Sequence, residues 1–130
     1  MDSRIARTLA AMHDAFSTEL SIANLARTVN LSPSRFAHKF RHEVGTSPRR
    51  YLRALRMTWA RIMLERTHLS IKEVMVHVGC GDPSHFTRDF YRFHGCTPRQ
   101  WRAGASARDH AADTQSSLEV AHVAALAKKR

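Results

Sequence analysis

Apolar side chains recur along the first part of the chain at helical spacing. Ile5, Leu9, Met12 and Phe16 follow the i, i+4, i+7, i+11 order of one buried helix stripe. This order predicts a first helix over residues 3–16. The sequence contains few glycines and no short alternating runs bounded by hairpin turns, so we expect no strands. The fold class that the pattern predicts is all-α.

After the first helix, the pattern of apolar and polar positions is repeated. Pro33 and Pro48 recur 50 positions later as Pro83 and Pro98. The same step relates Phe36 to Phe86, Phe40 to Phe90, Gly45 to Gly95, and Arg49 to Arg99. Upstream the step is 49, because Leu20-Ser21-Ile22 recurs as Leu69-Ser70-Ile71. Internal similarity at a fixed step indicates that one small helical unit is used twice.

All four prolines follow a residue that commonly caps helices. These caps are Ser32, Ser47, Asp82 and Thr97. Each can accept a hydrogen bond from a free backbone N–H, and proline at the first helical position loses no needed donor. We therefore predict helices over 33–44, 48–66 and 83–94, and a short last helix that carries Trp101. Two further helices are predicted to begin at the caps Ser21 and Ser70, the second with Glu73 as its capping-box partner.

The helix pairs have the form of helix-turn-helix units. We predict about seven helices arranged as two helix-turn-helix subdomains joined by a long connecting helix. The expected divisions are residues 1–66 for the first subdomain with connecting helix 48–66, residues 67–104 for the second, and a disordered or weakly helical tail over 105–130. In helix 83–94 the predicted buried side chains are Phe86, Phe90 and Phe93.

The chain is strongly basic. Its 130 residues include 21 Lys and Arg against 11 Asp and Glu, a net charge of +10. Residues 1–105 alone hold 17 basic and 8 acidic side chains, so the excess is not confined to the tail. This bias favours an anionic polymer as partner. No apolar run could span a membrane, and no apolar signal core begins the chain, so we expect a cytoplasmic, nucleoid-associated protein without a membrane partner.

The paired phenylalanines define the buried side of the second helix in each unit, so the opposite side is predicted to be exposed. Arginine can bridge guanine O6 and N7, and serine or threonine hydroxyls adapt to several base edges. The candidate base-reading residues are Ser34, Arg35, Ala37, His38, Ser84, His85, Thr87 and Arg88. The candidate phosphate contacts, at later turns and at following helix starts, are Arg41, Ser47, Arg49, Arg50, Arg92, Thr97 and Arg99. Arg56 has a structural alternative, in which its head group binds a carboxylate or carbonyl of the protein.

The motifs together have the spacing of a known family. They are Leu25-Ala26, Ser32-x-x-x-Phe36-x-x-x-Phe40, Gly45-x-Ser47-Pro48-x-x-Tyr51-Leu52, Arg56-Met57-x-x-Ala60, Ile71-x-x-Val74, Val78-Gly79, Phe86-x-Arg88-x-Phe90, Gly95-x-Thr97-Pro98 and Trp101-Arg102. On these residues, 3–104 resemble the C-terminal DNA-binding domain of AraC/XylS-type transcription regulators. Two residues depart from the family pattern: Cys80 replaces an aromatic residue and Met75 replaces a small one, which indicates a repacked second unit.

The resemblance implies a bacterial-type regulator that binds double-stranded DNA by inserting helices 33–44 and 83–94 into successive major-groove segments. It implies transcription activation, the same eight base-reading positions, and RNA polymerase and an N-terminal sensor domain as further partners. The chain is either a stand-alone small regulator or the DNA-binding half of a longer protein, and we favour the second.

Three other functions remain as alternatives. An enzyme is disfavoured, because no carboxylate pair, activated nucleophile or phosphate-binding glycine loop is present. A metal switch would need more than the pair His38 and His42 at i, i+4, and we expect no metal and no cofactor. The most serious rival is a nonspecific nucleic-acid binder or a protein-interaction adaptor on the same scaffold. A specificity ratio near one between a selected site and random duplex would favour that rival.

Overall fold

The computed structural model describes residues 1–104 and contains seven α-helices there, with no strand among the described residues. The predicted all-α class is confirmed. The predicted tail over 105–130 lies outside the described residues. The helices are α1 (Ser3–Ala15), α2 (Ile22–Thr28), α3 (Pro33–Val44), α4 (Pro48–Arg66), α5 (Ile71–His77), α6 (Pro83–His94) and α7 (Pro98–Ala103).

The predicted caps set the helix starts. Ser32 and Ser47 each accept a hydrogen bond from the backbone N–H three residues on, at 3.2 Å. Asp82 accepts from the N–H groups of Ser84 and His85 at 2.8 and 3.2 Å. Ser70 and Glu73 form the predicted capping box, with reciprocal bonds of 2.8 and 3.0 Å. These bonds satisfy backbone donors that a helix start leaves free, so helix position is set locally.

Two apolar clusters form the core, and each contains one phenylalanine pair. Phe36 and Phe40 lie in the first cluster with ring centroids 5.6 Å apart. Phe86 and Phe90 lie in the second with centroids 6.1 Å apart. All four side chains are almost fully buried. The burial turns the opposite sides of α3 and α6 outward, as the repeated pattern predicts.

The prediction that Phe93 is buried is wrong, since its side chain is 36% exposed. The buried stripe of α6 ends instead at His94. The ring of His94 lies 4.5 Å from that of Phe90, and its Nε2 is 3.0 Å from the carbonyl oxygen of Met57 in α4. Helical spacing allows either 93 or 94 to follow Phe90 on the buried face, and the contacts of His94 with Phe90 and α4 decide in favour of 94.

Helix α4 connects the two clusters. Tyr51 and Leu55 in its first half belong to the first cluster, whereas Met57, Ala60 and Leu64 belong to the second. The two clusters are thus built on successive turns of one helix, which relates the two helix-turn-helix units through a single rigid element.

The end of α1 packs at the boundary between the clusters. Phe16 stacks on Trp59 with ring centroids 5.8 Å apart and planes 9° apart, and both rings contact both clusters. The boundaries predicted for the subdomains, 1–66 and 67–104, stay a prediction.

The last helix is held against the end of α4. Trp101 Nε1 donates a 3.0 Å hydrogen bond to Glu65 Oε1, and the guanidinium of buried Arg61 lies 5.5 Å from the Trp101 ring centroid. Arg102 donates to the backbone carbonyls of Leu64, Thr67 and Leu69, near the end of α4. A cation at a helix C-terminus satisfies carbonyls that have no helical partner, so Arg102 closes α4 while it anchors α7.

Gly79 connects the second unit to the end of α1. Its φ of +83° lies in the left-handed region, where its counterpart in the first unit, Asn30, also lies at +58°. A Cβ atom at position 79 would stand 2.9 Å from the carbonyl oxygen of Phe16 and 3.0 Å from the backbone of Ser17. The left-handed conformation favours glycine at position 79, as it tolerates asparagine at position 30, and the close backbone approach makes glycine necessary at position 79.

We predict that Gly79→Ala lowers the free energy of unfolding by more than Gly95→Ala does. Gly95 has nearly the same φ, +79°, but a Cβ there meets nothing within 4 Å. Substitution of Gly95 should lower the free energy of unfolding only by the strain of holding alanine in the left-handed conformation, about 1–2 kcal/mol. Urea unfolding followed by tryptophan fluorescence measures both. Equal losses would contradict the proposed close packing of Gly79 on α1.

Candidate nucleic-acid interface

The outward side of α3 forms one wall of an open depression. Three of the four base-reading candidates of the first unit line it: Ser34, Arg35 and His38. Arg4 from α1 and Lys39 also line it. The fourth candidate, Ala37, is half-buried and lies outside this lining. The arrangement presents hydroxyl, guanidinium and imidazole groups on one exposed helical face.

The outward side of α6 forms a matching depression. Ser84, Thr87 and Arg88 line it, together with Tyr91 and Thr97. The remaining candidate, His85, is exposed beside this depression, and its Nδ1 lies 3.7 Å from a carboxylate oxygen of Asp82. The structure thus brings three candidates together on α3 and three on α6, the two candidate recognition helices.

The phosphate candidates come from both units, and four of the seven converge. Ser47, Arg49 and Arg50 at the start of α4 line one cleft with Arg92 from α6. The same cleft includes Arg53 and the exposed ring of Phe93. Four guanidinium groups form a strongly positive cationic cleft between the start of α4 and the end of α6.

The other three phosphate candidates lie outside that cleft. Arg41 and Arg99 are exposed on α3 and α7, whereas Thr97 lines the depression of α6. Ser47 and Thr97 both serve as caps, accepting from the N–H groups of Arg50 and Gln100. Because a hydroxyl also carries one donor proton, each could still donate to a phosphate oxygen.

Arg4, Lys39 and Tyr91 line these depressions although the sequence reasoning did not select them. Asp2 caps α1 and pairs with two of the three Lys and Arg side chains of the first depression, with its carboxylate 2.9 Å from Arg4 and 3.2 Å from Lys39. These hydrogen bonds and charges lower the pKa of Asp2. Only the packing of α1 on α3 reveals this pair of cations. Tyr91 could have been found from the sequence, because it continues the exposed stripe of α6 by one turn.

The first turn of α6 contains a negative charge that α3 lacks. Asp82 takes the place of the neutral cap Ser32. The pKa of Asp82 is lowered, chiefly by the hydrogen bond that it accepts from the backbone N–H of His85. Asp82 is therefore an anion at neutral pH beside the base-reading candidates of the second unit. Farther along α6, Asp89 pairs with Arg53 of α4 at 3.6 Å, which links the second recognition helix to the connecting helix.

The side chain of Arg56 binds carbonyl oxygens of the protein, which is the structural alternative that the sequence allowed. Its Nε donates to the carbonyl oxygen of Phe16 at 2.8 Å, and a terminal nitrogen donates to that of Thr18 at 2.9 Å. Burial lowers the pKa of Arg56. The side chain ties α4 to the segment after α1, at the boundary between the two clusters.

The departures from the family pattern both belong to the second cluster. Met75 is buried, and half-buried Cys80 packs against the second cluster. Burial raises the pKa of the Cys80 thiol, which reduces its thiolate fraction and its reactivity. Met75 and Cys80 therefore act as packing residues in the second unit.

Two negative findings concern residues 1–104. No three His, Cys, Asp or Glu side chains of this part of the chain stand close enough to hold a metal ion. Within the same range, no helix is both long and apolar enough to cross a bilayer.

Residues 25–104 match a family model described as "Helix-turn-helix domain". The chain is 32% identical over 106 residues to the HTH-type transcriptional activator RhaS of Enterobacter sp. (strain 638), covering 82% of this chain and 38% of RhaS. It is 33% identical over 105 residues to the arabinose operon regulatory protein of Escherichia coli (strain K12), covering 80% of this chain and 36% of that protein. The chain thus spans well under half the length of these curated relatives.

Solved structures agree with the sequence relatives. The DNA-binding domain of AdpA, a global transcriptional factor determined in complex with a target DNA, superposes with a TM-score of 0.77 at 27% identity, over 80% of this chain and 94% of that domain. The C-terminal domain of AraT, a response regulator from Geobacillus stearothermophilus, gives a TM-score of 0.74 at 28% identity, over 77% of this chain and 84% of that domain.

We predict that Arg56→Ala lowers the free energy of unfolding by about 1.5–3 kcal/mol, the usual contribution of hydrogen bonds to a charged group. Arg50→Ala, on the same helix, is the matched control. Arg50 is exposed and its side chain lines the cationic cleft, so its loss should leave stability nearly unchanged. Thermal melting compares the two variants. Equal melting temperatures would mean that the hydrogen bonds from Arg56 to the carbonyl oxygens of Phe16 and Thr18 contribute nothing to stability.

Proposed function

This chain belongs to the AraC/XylS-type helix-turn-helix family, and we propose that it binds specific sequences in duplex DNA and thereby regulates transcription, most simply as an activator. The observation that carries the proposal is the repeated exposure of polar faces on α3 and α6. In both helices the phenylalanine pair is buried, and the opposite face presents arginine, histidine, serine or threonine to solvent. The family relationship and the likeness to a DNA-bound domain support the same function.

In this proposal α3 and α6 enter successive segments of the major groove. Arg35 and His38 in α3, and His85 and Arg88 in α6, are the long side chains able to reach base edges from the first two turns. Ser34, Ser84 and Thr87 supply short donors and acceptors, and Ala37 offers a methyl group to thymine. The exposure of the longer side chains in the free chain supports this assignment, because no rearrangement of the core is needed.

The cationic cleft between the start of α4 and the end of α6 would follow the DNA backbone. Arg49, Arg50 and Arg92 are positioned to neutralise phosphates there, with Ser47 as a further donor. Arg41, Thr97 and Arg99 would contact phosphates on the outer sides of the two units. Such contacts set the register of a protein on DNA without reading its sequence.

Further partners follow from the proposed activity. Activation of transcription would involve RNA polymerase, and a sensor domain N-terminal to these helices would supply control by a small molecule. DNA as the partner favours action at the nucleoid in the cytoplasm. We propose no enzymatic activity, since the chain's relatives are DNA-binding regulators.

Arg88→Ala should weaken binding to a selected site by about 1–3 kcal/mol and relax the preference at one base pair. The reason is the loss of a bidentate contact that discriminates between bases. Selection of bound oligonucleotides from a random duplex library, with wild type and variant, measures the preference. Arg7→Ala is a control with the same charge change, at an exposed position on α1 outside both depressions. Unchanged selectivity of Arg88→Ala would show that α6 does not read bases.

Arg49→Ala should weaken binding to all duplexes alike, because a phosphate contact carries no sequence information. Wild-type affinity should fall by about 10³–10⁵ between 50 and 200 mM salt if ~6–10 phosphates are neutralised. The variant should reduce the salt slope by about 1. Fluorescence anisotropy of a labelled duplex over a salt series measures this. A changed base preference with an unchanged slope would assign Arg49 to base reading instead.

A further inference from the structure

The two recognition helices have the same scaffold but different charges at matched exposed positions. In the first unit these positions are Ser32, Ser34, Arg35, His38 and Arg41, with a formal charge of +2 when histidine is neutral. The residues 50 positions later are Asp82, Ser84, His85, Arg88 and Tyr91, with a formal charge of zero. A sixth matched pair, His42 and Arg92, adds one charge to the second unit only, so the totals are +2 and +1. All twelve residues are exposed in the structure. The second unit therefore presents a face that duplex DNA attracts less strongly through charge.

Tyr91 is the most unusual residue on that second face. It occupies the position of Arg41, and its side chain is 57% exposed although its ring could bury a large apolar area. It continues the stripe of Ser84, Thr87 and Arg88 at i+7 from Ser84, and it lines the same depression as these residues. Within residues 1–104 its hydroxyl has no hydrogen-bond partner.

The surroundings of Tyr91 point to the DNA backbone. The depression also contains Thr97, a phosphate candidate at the start of α7, so Tyr91 shares one surface with base-reading and phosphate candidates. A position one turn beyond the base-reading turns approaches phosphate rather than base edges. Tyrosine hydroxyls are among the groups that donate to phosphate oxygens in protein–DNA complexes.

On the basis of the proposed DNA-binding function, we propose that Tyr91 contacts DNA through its phenol O–H, which donates a hydrogen bond to a backbone phosphate oxygen. At this position the second unit then contacts the DNA backbone through an uncharged donor, whereas the first unit uses the cation Arg41. An uncharged donor releases no counterion, so this contact adds affinity that does not depend on salt. The affinity of α6 for DNA of arbitrary sequence is accordingly lower than that of α3.

The test compares Tyr91→Phe with Arg41→Ala on a selected duplex over a salt series. Tyr91→Phe removes only the hydroxyl, and its affinity should fall by about 2–12-fold at every salt concentration, the effect of one lost hydrogen bond. The salt slope should stay unchanged. Arg41→Ala should instead reduce the slope by about 1. Thermal melting confirms that Tyr91→Phe folds, which its exposure leads us to expect.

A second variant, Tyr91→Arg, gives the second unit the same residue as the first. It should increase the salt slope by about 1, and it should strengthen binding to random duplex more than binding to the selected site. The specificity ratio should therefore fall.

If Tyr91→Phe binds with wild-type affinity while Arg41→Ala shows its expected effect, the role of Tyr91 is overturned and the DNA-binding function stays intact. A Tyr91→Arg variant with an unchanged salt slope would also overturn it. If Arg88→Ala and Arg41→Ala leave binding unchanged as well, the proposed function itself fails, and the role of Tyr91 fails with it.

Discussion

The burial of two successive stretches of α4, one in each apolar cluster, is the constraint on which the rest of the structure depends. Tyr51 and Leu55 are buried with the first phenylalanine pair, and Met57, Ala60 and Leu64 with the second. Since helical geometry sets the distance and rotation between these turns, it also sets how the two recognition helices stand relative to each other. The Phe16–Trp59 stack and the bonds from Arg56 to the end of α1 reinforce this junction.

The repeated unit keeps its buried chemistry and varies its exposed chemistry. Phenylalanine pairs, Ser-Pro, Asp-Pro or Thr-Pro helix starts and left-handed glycines after α3 and α6 recur because packing and backbone geometry demand them. Solvent-facing positions are free of those demands. Arg41 corresponds to Tyr91 and Arg35 to His85, and both helices still span 12 residues. One scaffold can thus carry two exposed faces of different charge within the same chain, and the role proposed for Tyr91 depends on that difference.

Helix starts and buried stripes could be predicted because their causes are local. A capping side chain followed by proline acts within one turn, and the pairs Phe36–Phe40 and Phe86–Phe90 lie on one face through helical periodicity alone. Phe93 could not be assigned in this way. Either residue at the end of α6 could turn inward, and the carbonyl of Met57 in α4, which receives His94, decides between them. The base-reading and phosphate assignments remain predictions, although their exposure agrees with the sequence pattern.

The sequence by itself determined the helical class and the outward faces of α3 and α6, because each depends on residues at most a few turns apart. The duplication and the positive charge are properties of the sequence itself and need no folding to be read. Only the tertiary structure decided which cations meet. Arg92 joins Arg49 and Arg50 at one cleft, Arg4 joins α3, and half-buried Arg56 binds carbonyl oxygens just after α1. The physical reason is that side-chain convergence between distant segments depends on how helices pack. That packing is a property of the whole core and not of any one helix.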